Sequence, residues 1–176
     1  MKIPHIAIPG VLMILLVAAA AAGPQARAPE PDYGSIEGIL AALYGSITYG
    51  PETPPRIDVM RSLYLPEARL VRLTKDGPNR MSLDEFVSFF TDRIQKGTVR
   101  TFVEEEIARR TETFGSIAQV FSTYRKGADT TDRAAFVRGI NSLLLVNDGR
   151  RWWIVSIIWQ DESPEHPIPE KYLQKG

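Results

Sequence analysis

Three consecutive glutamates are the acidic residues of this chain best placed for acid–base chemistry. Glu104, Glu105 and Glu106 stand together, and Arg109 and Arg110 follow them. In a β-strand successive side chains point to opposite faces, so Glu104 and Glu106 share one face, about 6–7 Å apart, and Glu105 points to the other. Inside a closed apolar site, burial and mutual repulsion would raise the pKa of one of them and make it a general acid or base. Alternatively, the glutamates form a solvated strand face with arginine partners across the sheet.

Four further polar side chains are candidates for lining a ligand pocket. Tyr64 and Tyr124 can donate hydrogen bonds into a cavity, although tyrosines commonly pack their rings in the core with the hydroxyl at its edge. Arg138 and Asn141 interrupt an otherwise apolar segment and would orient a polar group of a ligand. Their alternative role is cross-strand pairing within the sheet, for example with one of the glutamates.

The composition excludes several other kinds of chemistry. The chain has no cysteine, and its two histidines, His5 and His166, stand near opposite ends. Thiol chemistry and disulfides are therefore excluded, and a serine–histidine triad or a multi-histidine zinc site is not expected. No glycine-rich phosphate loop is present, which argues against classical nucleotide chemistry. We therefore expect neither a metal nor a cofactor. Lys+Arg and Asp+Glu both number 21, which argues against a nucleic-acid partner.

The N-terminal segment has the pattern of a signal peptide, residues 1–22. Lys2 precedes an apolar stretch that ends in a run of alanines at Ala22, which is typical of a secretory signal. Cleavage is expected after Ala22, because the alternative site after Ala28 would leave a proline next to the cut. The mature chain would then be periplasmic or secreted, with no membrane association beyond the signal segment. The alternative is an uncleaved N-terminal anchor, although prolines and a glycine interrupt the only window near the roughly 20 apolar residues needed to span a bilayer.

The first part of the mature chain shows helical periodicity. After a proline-containing flexible linker, residues 23–33, Ser35 is placed as the N-cap of a helix whose apolar stripe reaches Ile47. A second, short helix is expected near residues 56–65, and a strand at residues 69–73.

A third helix has the clearest start signal in the chain. Ser82 and Glu85 fit a capping box, and Met81 and Phe86 occupy the two hydrophobic staple positions around it. An apolar stripe continues along the helix, and Gly97 is placed to end it.

From Val99 onward the pattern changes to β-strands. Four strands are predicted, the last two joined by a hairpin turn: Arg100–Phe114, Ser116–Arg125, Ala134–Val146 and Arg151–Gln160. Helices followed by antiparallel strands indicate an α+β protein with the helices packed on one face of a curved sheet. The last strand is apolar on both faces and needs a cover on both sides. We expect a homodimer through the outer sheet face, and a terminal segment of the same chain folding back is the alternative.

Three segments resemble a known superfamily in their order and spacing: LYLPEARL at 63–70, FGSIAQV at 114–120 and DGRRWWIV at 148–155. Together they resemble the nuclear transport factor 2-like (SnoaL-like) superfamily over about residues 34–162, which leaves residues 163–176 as a proline-rich tail. The stretch 136–142 is similar to an uncharacterised bacterial exported subgroup of that superfamily. The resemblance implies an α+β cone, with N-terminal helices packed on a strongly curved, mostly antiparallel sheet.

The resemblance leaves the activity open, because enzymes and non-enzymes share this fold. Its members include ketosteroid isomerases, scytalone dehydratase, limonene epoxide hydrolase and SnoaL-like cyclases. Isomerase-like members use an acidic residue with a tyrosine, and the epoxide hydrolases use an Asp–Arg–Asp arrangement. Neither motif can be matched residue by residue in this sequence.

Three functional hypotheses follow from the sequence. The first is non-catalytic binding of a small apolar or amphipathic ligand in the cone. The second is a proton-transfer enzyme, an isomerase, dehydratase or cyclase, that uses Glu104 or Glu106 as the base with one of the candidate tyrosines or Arg138 nearby. The third is a structural dimerisation module, which rests on the two-faced final strand.

Overall fold

The computed structural model describes residues 31–174. Within them the elements in chain order are α1 (Ile36–Ile47), α2 (Ile57–Ser62), β1 (Tyr64–Thr74), β2 (Gly77–Met81), α3 (Leu83–Gln95), β3 (Phe102–Phe114), β4 (Ile117–Ala128), β5 (Val137–Asn147) and β6 (Trp152–Asp161). Short 3-10 turns stand at Arg133–Ala135 and Glu170–Tyr172. The predicted signal peptide, residues 1–22, lies outside the described residues, so its cleavage and export of the chain stay predictions.

The strands form one mixed sheet in the order β2-β1-β6-β5-β4-β3. All neighbours are antiparallel except β1 and β6, which run parallel. The α+β class predicted from the sequence, with helices packed on a mostly antiparallel sheet, is confirmed. The parallel pair was not predicted, because its two strands come from opposite ends of the domain sequence.

Capping side chains fix the starts of α1 and α3 as the sequence predicted. Ser35 Oγ accepts a hydrogen bond from the backbone N–H of Gly38 at 3.0 Å. Ser82 Oγ accepts from the Glu85 N–H at 3.2 Å, and the Glu85 carboxylate accepts from the Ser82 N–H at 2.7 Å. Gly97 follows α3 with a φ of 62°, a left-handed conformation that glycine adopts without strain. Among the helices of residues 31–174, none has the length and apolar character needed to cross a membrane.

The core lies between the helices and the inward side chains of the central strands. Buried residues from both layers make up this core, among them Leu40, Leu43, Met60, Val120, Leu143, Leu145 and Ile154. In β5 the odd-numbered residues point inward and the even-numbered residues point to the outer face. This alternation decides which polar side chains of the strand reach the interior.

Strand β1 begins earlier than the sequence predicted. Helix α2 ends at Ser62, and Tyr64 already belongs to β1, where it pairs with Ile154 of β6. The predicted helix end near residue 65 is therefore wrong, because pairing with β6 overrides the local helical pattern. Pro66 is tolerated in β1 because it falls where the register with β6 is irregular.

The start of the described chain is fixed on the domain. The Trp152 N–H donates to the carbonyl oxygen of Tyr33 at 2.8 Å, and the Arg151 guanidinium lies 3.8 Å from the centroid of the Tyr33 ring. Tyr33 falls within the segment expected to be a flexible linker, and these contacts hold it in place beside β6.

The C-terminal segment folds over the outer face of β4. Thr123 Oγ1 donates to the Tyr172 carbonyl oxygen at 2.6 Å, and the Tyr172 ring stacks on Phe121 with centroids 5.1 Å apart. The proline-rich tail thus covers part of the outer face, which was one of the two alternatives for this surface. On the outer face of β6, Ile158 remains 43% exposed. The homodimer through this face stays a prediction.

Replacing Ser82 with alanine should lower the free energy of unfolding by about 1 kcal/mol, because the first turn of α3 loses its acceptor. Urea unfolding followed by circular dichroism measures the change. Ser88→Ala, at an exposed position of the same helix, is the matched control and should change stability by less than about 0.5 kcal/mol. Equal losses in the two variants would show that the capping box does not stabilise α3.

Candidate functional site

A cavity of about 360 Å³ lies between α1, α3 and the inward face of the sheet. Most of its walls are aliphatic or aromatic, with Leu43, Phe86, Phe90, Phe102 and Trp159 among the lining residues. The Phe86 ring meets the Trp159 ring edge-on, with centroids 6.0 Å apart. A cavity of this size and character is suited to a small-molecule ligand.

Four consecutive strands each bring one polar side chain to the cavity wall. Glu104, Lys126, Asn141 and Asp161 come from β3, β4, β5 and β6, respectively. Each occupies an inward position of its strand. Across residues 31–174 no cluster of three or more histidine, aspartate or glutamate side chains comes together that could hold a metal ion.

The carboxyl group of Glu104 is held at one oxygen and open at the other. Asn141 Nδ2 donates to Glu104 Oε1 at 3.4 Å. Within residues 31–174 Oε2 has no hydrogen-bond partner, and it is not sealed in the protein but faces the cavity. Burial raises the pKa of Glu104 to about 7, although Lys126 and the Asn141 hydrogen bond oppose the shift. The group therefore exchanges its proton near neutral pH.

Asp161 keeps its charge in the same cavity wall. It accepts a hydrogen bond from Tyr124 Oη at 2.5 Å and one from Lys126 Nζ, and Arg72 lies 3.7 Å away. Burial disfavours the ionised form, but Lys126 and the Tyr124 hydrogen bond outweigh it and lower the pKa of Asp161. Asp161 and Lys126 thus neutralise each other, and Asp161 is not a proton carrier near neutral pH.

Tyr124 supports Asp161 and does not line the cavity, contrary to the sequence prediction. It is completely buried, and its hydroxyl is used by Asp161. The ring fits because residue 139 is glycine, since a Cβ there would lie 2.2 Å from the Tyr124 hydroxyl oxygen. Alternation in β4 points Tyr124 inward as expected, but its hydroxyl meets β6 before it can reach the cavity.

Tyr64 does line the cavity. Its hydroxyl has no hydrogen-bond partner among the described residues and is not sealed from the cavity. Burial, followed by the nearby carboxyl of Glu104, raises the pKa of Tyr64, so the phenol stays protonated. Tyr64 can therefore donate a hydrogen bond to a bound molecule.

Glu106 lies outside the cavity, although it points to the same side of β3 as Glu104. Ser122 Oγ donates to Glu106 Oε1 at 2.5 Å, and Arg109 Nε lies 3.7 Å from Glu106 Oε2. Nη1 of Arg109 is buried without a hydrogen bond, 3.6 Å from the Glu37 carboxylate. Of the two predicted catalytic glutamates, the structure therefore places only Glu104 where a ligand can reach it.

Glu105 and Arg138 belong to the outer side of the sheet. Glu105 pairs with Arg125 on the neighbouring strand. For this glutamate the structure agrees with the alternative of a solvated strand face with arginine partners across the sheet. Arg138 donates to both carboxylate oxygens of Glu162, at 2.8 and 3.1 Å. Because Arg138 stands three residues before Asn141, strand alternation puts the two on opposite faces. The prediction that Arg138 lines the pocket is corrected accordingly.

Three contributors to the site were not predicted from the sequence: Lys126, Asp161 and Tyr44, whose hydroxyl accepts a hydrogen bond from Asn141 Nδ2 at 3.1 Å. A signal existed for each. Tyr44 follows Leu40 by four residues on the inward stripe of α1. Lys126 and Asp161 each follow an inward aromatic residue by two positions, which in a strand keeps them on the same face.

Glu104 should make stability depend on pH. Its pKa in the folded protein is raised. Its contribution to the free energy of unfolding is therefore fully present below the ordinary pKa near 4.5 and is lost as pH rises through about 7. Relative to wild type, Glu104→Gln should therefore gain up to roughly 3 kcal/mol in free energy of unfolding between pH 4.5 and 8. Urea unfolding across this range measures the difference. Glu105→Gln is the control, and parallel curves for Glu104→Gln and wild type would contradict the shift.

Comparisons with known proteins establish the fold. No family model and no curated protein sequence matches the chain. Among solved structures, a Novosphingobium aromaticivorans protein named "putative scytalone dehydratase" is 11% identical, with a TM-score of 0.57 over 73% of this chain and 82% of that chain. An uncharacterized Caulobacter vibrioides protein with a cystatin-like fold is 15% identical, with a TM-score of 0.56 over 74% and 89%.

The structure of LinA is also similar, at 5% identity and a TM-score of 0.55 over 73% of this chain and 84% of that chain. Identities this low show a common fold and nothing about activity. Helix order, sheet topology and the cavity between them agree with the earlier resemblance, and the chain has the nuclear transport factor 2-like (SnoaL-like) fold.

Proposed function

We propose that this protein binds a small, mainly apolar molecule that carries one hydrogen-bond-accepting group. The observation that supports this most is the pair of unpartnered polar atoms, Glu104 Oε2 and Tyr64 Oη, in a cavity whose walls are otherwise largely apolar. Neither atom is sealed from the cavity, so each is free to form a hydrogen bond with a ligand. A polar ligand group in the cavity would supply the partner that the protein does not.

The protonation of the two groups favours an acceptor such as a carbonyl oxygen. Tyr64 stays protonated and can donate a hydrogen bond. Glu104 also carries a proton at pH values below its pKa of about 7. A charged ligand group would lose its hydration in the apolar cavity, which is costly without a counter-charge. The charged groups of the cavity wall already have neighbours: Lys126 and Arg72 face Asp161, and Arg93 lies over the Phe89 ring.

The pair 2-acetylnaphthalene and 2-ethylnaphthalene tests this proposal, because the two molecules share a shape and differ in the carbonyl. The ketone should bind about tenfold more tightly at pH 6, the equivalent of one hydrogen bond to a buried donor. Tyr64→Phe should remove most of that preference. Isothermal titration calorimetry measures both binding constants directly.

Tyr49→Phe is the matched control, because Tyr49 also lines the cavity but its hydroxyl already donates to the Val99 carbonyl oxygen at 3.2 Å. It should keep the preference for the ketone. Failure of both naphthalenes to bind would refute ligand binding, whereas equal binding of the two would refute the role of the polar pair.

A second candidate function is proton transfer at a carbon next to a carbonyl. It is supported by Glu104, a carboxyl with a pKa of about 7 that faces the cavity through Oε2. Such a group is suited to take and return a proton near neutral pH. Of the partners considered from the sequence, Tyr64 is the one that shares the cavity, and it would donate to the carbonyl oxygen.

Catalysed exchange of the C1 hydrogens of 2-tetralone for deuterium tests this second candidate. The rate should rise with pH through about 7 as Glu104 becomes ionised. Glu104→Gln should reduce the enzymatic rate at least 100-fold, the order expected for loss of a general base. Proton NMR in deuterated buffer follows the exchange. Binding of 2-tetralone without any exchange above the rate of Glu104→Gln would leave only the binding function.

A further inference from the structure

A chain of hydrogen bonds crosses the interior from Glu104 to Glu106. Asn141 Nδ2 contacts Glu104 Oε1 and also donates to Tyr44 Oη at 3.1 Å. Tyr44 Oη lies 2.5 Å from Ser122 Oγ, and Ser122 Oγ lies 2.5 Å from Glu106 Oε1. Tyr44, Ser122 and Asn141 are all buried. The chain therefore connects the cavity with a second acidic group that lies outside the cavity lining.

The charge on Glu106 fixes the direction of every bond in this chain. Glu106 faces the guanidinium of Arg109, and a carboxylate can only accept hydrogen bonds. Ser122 must therefore donate its single hydrogen to Glu106 and accept from Tyr44. Tyr44 has then used its own hydrogen and must accept one from Asn141. The nitrogen side of the Asn141 amide is thereby directed at Tyr44 and Glu104.

We propose that the ion pair of Glu106 and Arg109 sets the orientation of the Asn141 amide toward Glu104, with Tyr44 and Ser122 as the connecting hydroxyls. Glu106 is then a positioning residue. It acts on the cavity carboxyl through four hydrogen bonds and does not line the cavity itself. Only the consequence of this proposal, the way in which Glu104 contacts a bound molecule, rests on the proposed function.

As a consequence, the two oxygens of Glu104 have different roles. An amide N–H directed at Oε1 stabilises the carboxylate, so it holds down a pKa that burial raises. When Glu104 is protonated, the hydrogen belongs on Oε2, which faces the cavity. Other titratable or charged groups around this carboxyl or on the cavity wall are Tyr44, Tyr49, Tyr64, Arg72, Arg93, Tyr124, Lys126 and Asp161.

The variant Glu106→Gln should reverse the chain. Arg109 can only donate, so the amide oxygen of the new side chain must face Arg109 and its NH₂ group must face Ser122. Ser122 would then donate to Tyr44, and Tyr44 to Asn141, which must turn its oxygen toward Glu104. An oxygen in that position favours protonated Glu104 over the carboxylate.

The measurement is the pKa of Glu104 from NMR titration of glutamate labelled with ¹³C at Cδ, with the resonance assigned by Glu104→Gln. Glu106→Gln should raise this pKa by about one unit, the size of one changed hydrogen bond to a charged group. Loss of the Glu106 charge acting through space would lower it instead. Glu105→Gln, the matched control on the outer face, should leave it unchanged. A fall or no change in Glu106→Gln would overturn the proposal.

The same substitution in a Tyr44→Phe background tests the path. Without the Tyr44 hydroxyl, no hydrogen bonds connect Ser122 with Asn141. Glu106→Gln should then no longer raise the pKa of Glu104. A rise that persists would exclude Tyr44 as a connection.

Should Glu106→Gln not fold, the unmodified protein gives the answer directly. The Asn141 amide hydrogens should show nuclear Overhauser contacts to the Tyr44 ring, and contacts from the opposite amide orientation would overturn the proposal. These measurements use no ligand, so their failure is separate from any failure of the binding experiments with the naphthalenes.

Discussion

A carboxyl group removed from water is the constraint on which the interior of this protein depends. Glu104 stands in a wall where water cannot fully hydrate its charge, and its pKa rises to about 7. Asp161, on the same wall, keeps its charge because Lys126 and Tyr124 bind it directly. Two acids of ordinary strength thus come to differ in role through their surroundings. Most of the wall around them is apolar.

The architecture explains how residues far apart in sequence reach this carboxyl. Neighbouring strands β3 to β6 each bring one polar side chain to the cavity wall, and α1 brings Tyr44 to Asn141 from 97 residues away. Gly139 matters for the same reason, because its missing side chain gives Tyr124 room to reach Asp161. The polar groups of the cavity are therefore held mainly by the sheet, and the apolar ones come from both the sheet and the helices packed on it.

Local patterns in the sequence predict much of this fold but only part of the site. Capping at Ser35 and Ser82 depends on neighbouring residues, and it was predicted correctly. Strand alternation predicted that Glu104 and Glu106 share one face, and the same rule would have put Arg138 on the face opposite Asn141. The pairing of β1 with β6, and the bonds between Tyr44, Ser122 and Glu106, depend on contacts between distant segments. No local pattern encodes those, which is why Glu104 and Glu106 could not be told apart from sequence.

The parallel pairing of β1 with β6 has a consequence for how the protein folds. Strands β3 to β6 are joined in sequence as successive hairpins, so their contacts are local and form quickly. Strand β1 must close a loop of about 90 residues before Tyr64 meets Ile154. Since β1 also supplies Tyr64 and Leu70 to the cavity wall, the cavity is complete only after this slowest contact has formed. A ligand would therefore slow unfolding of the finished protein and leave the rate of folding unchanged.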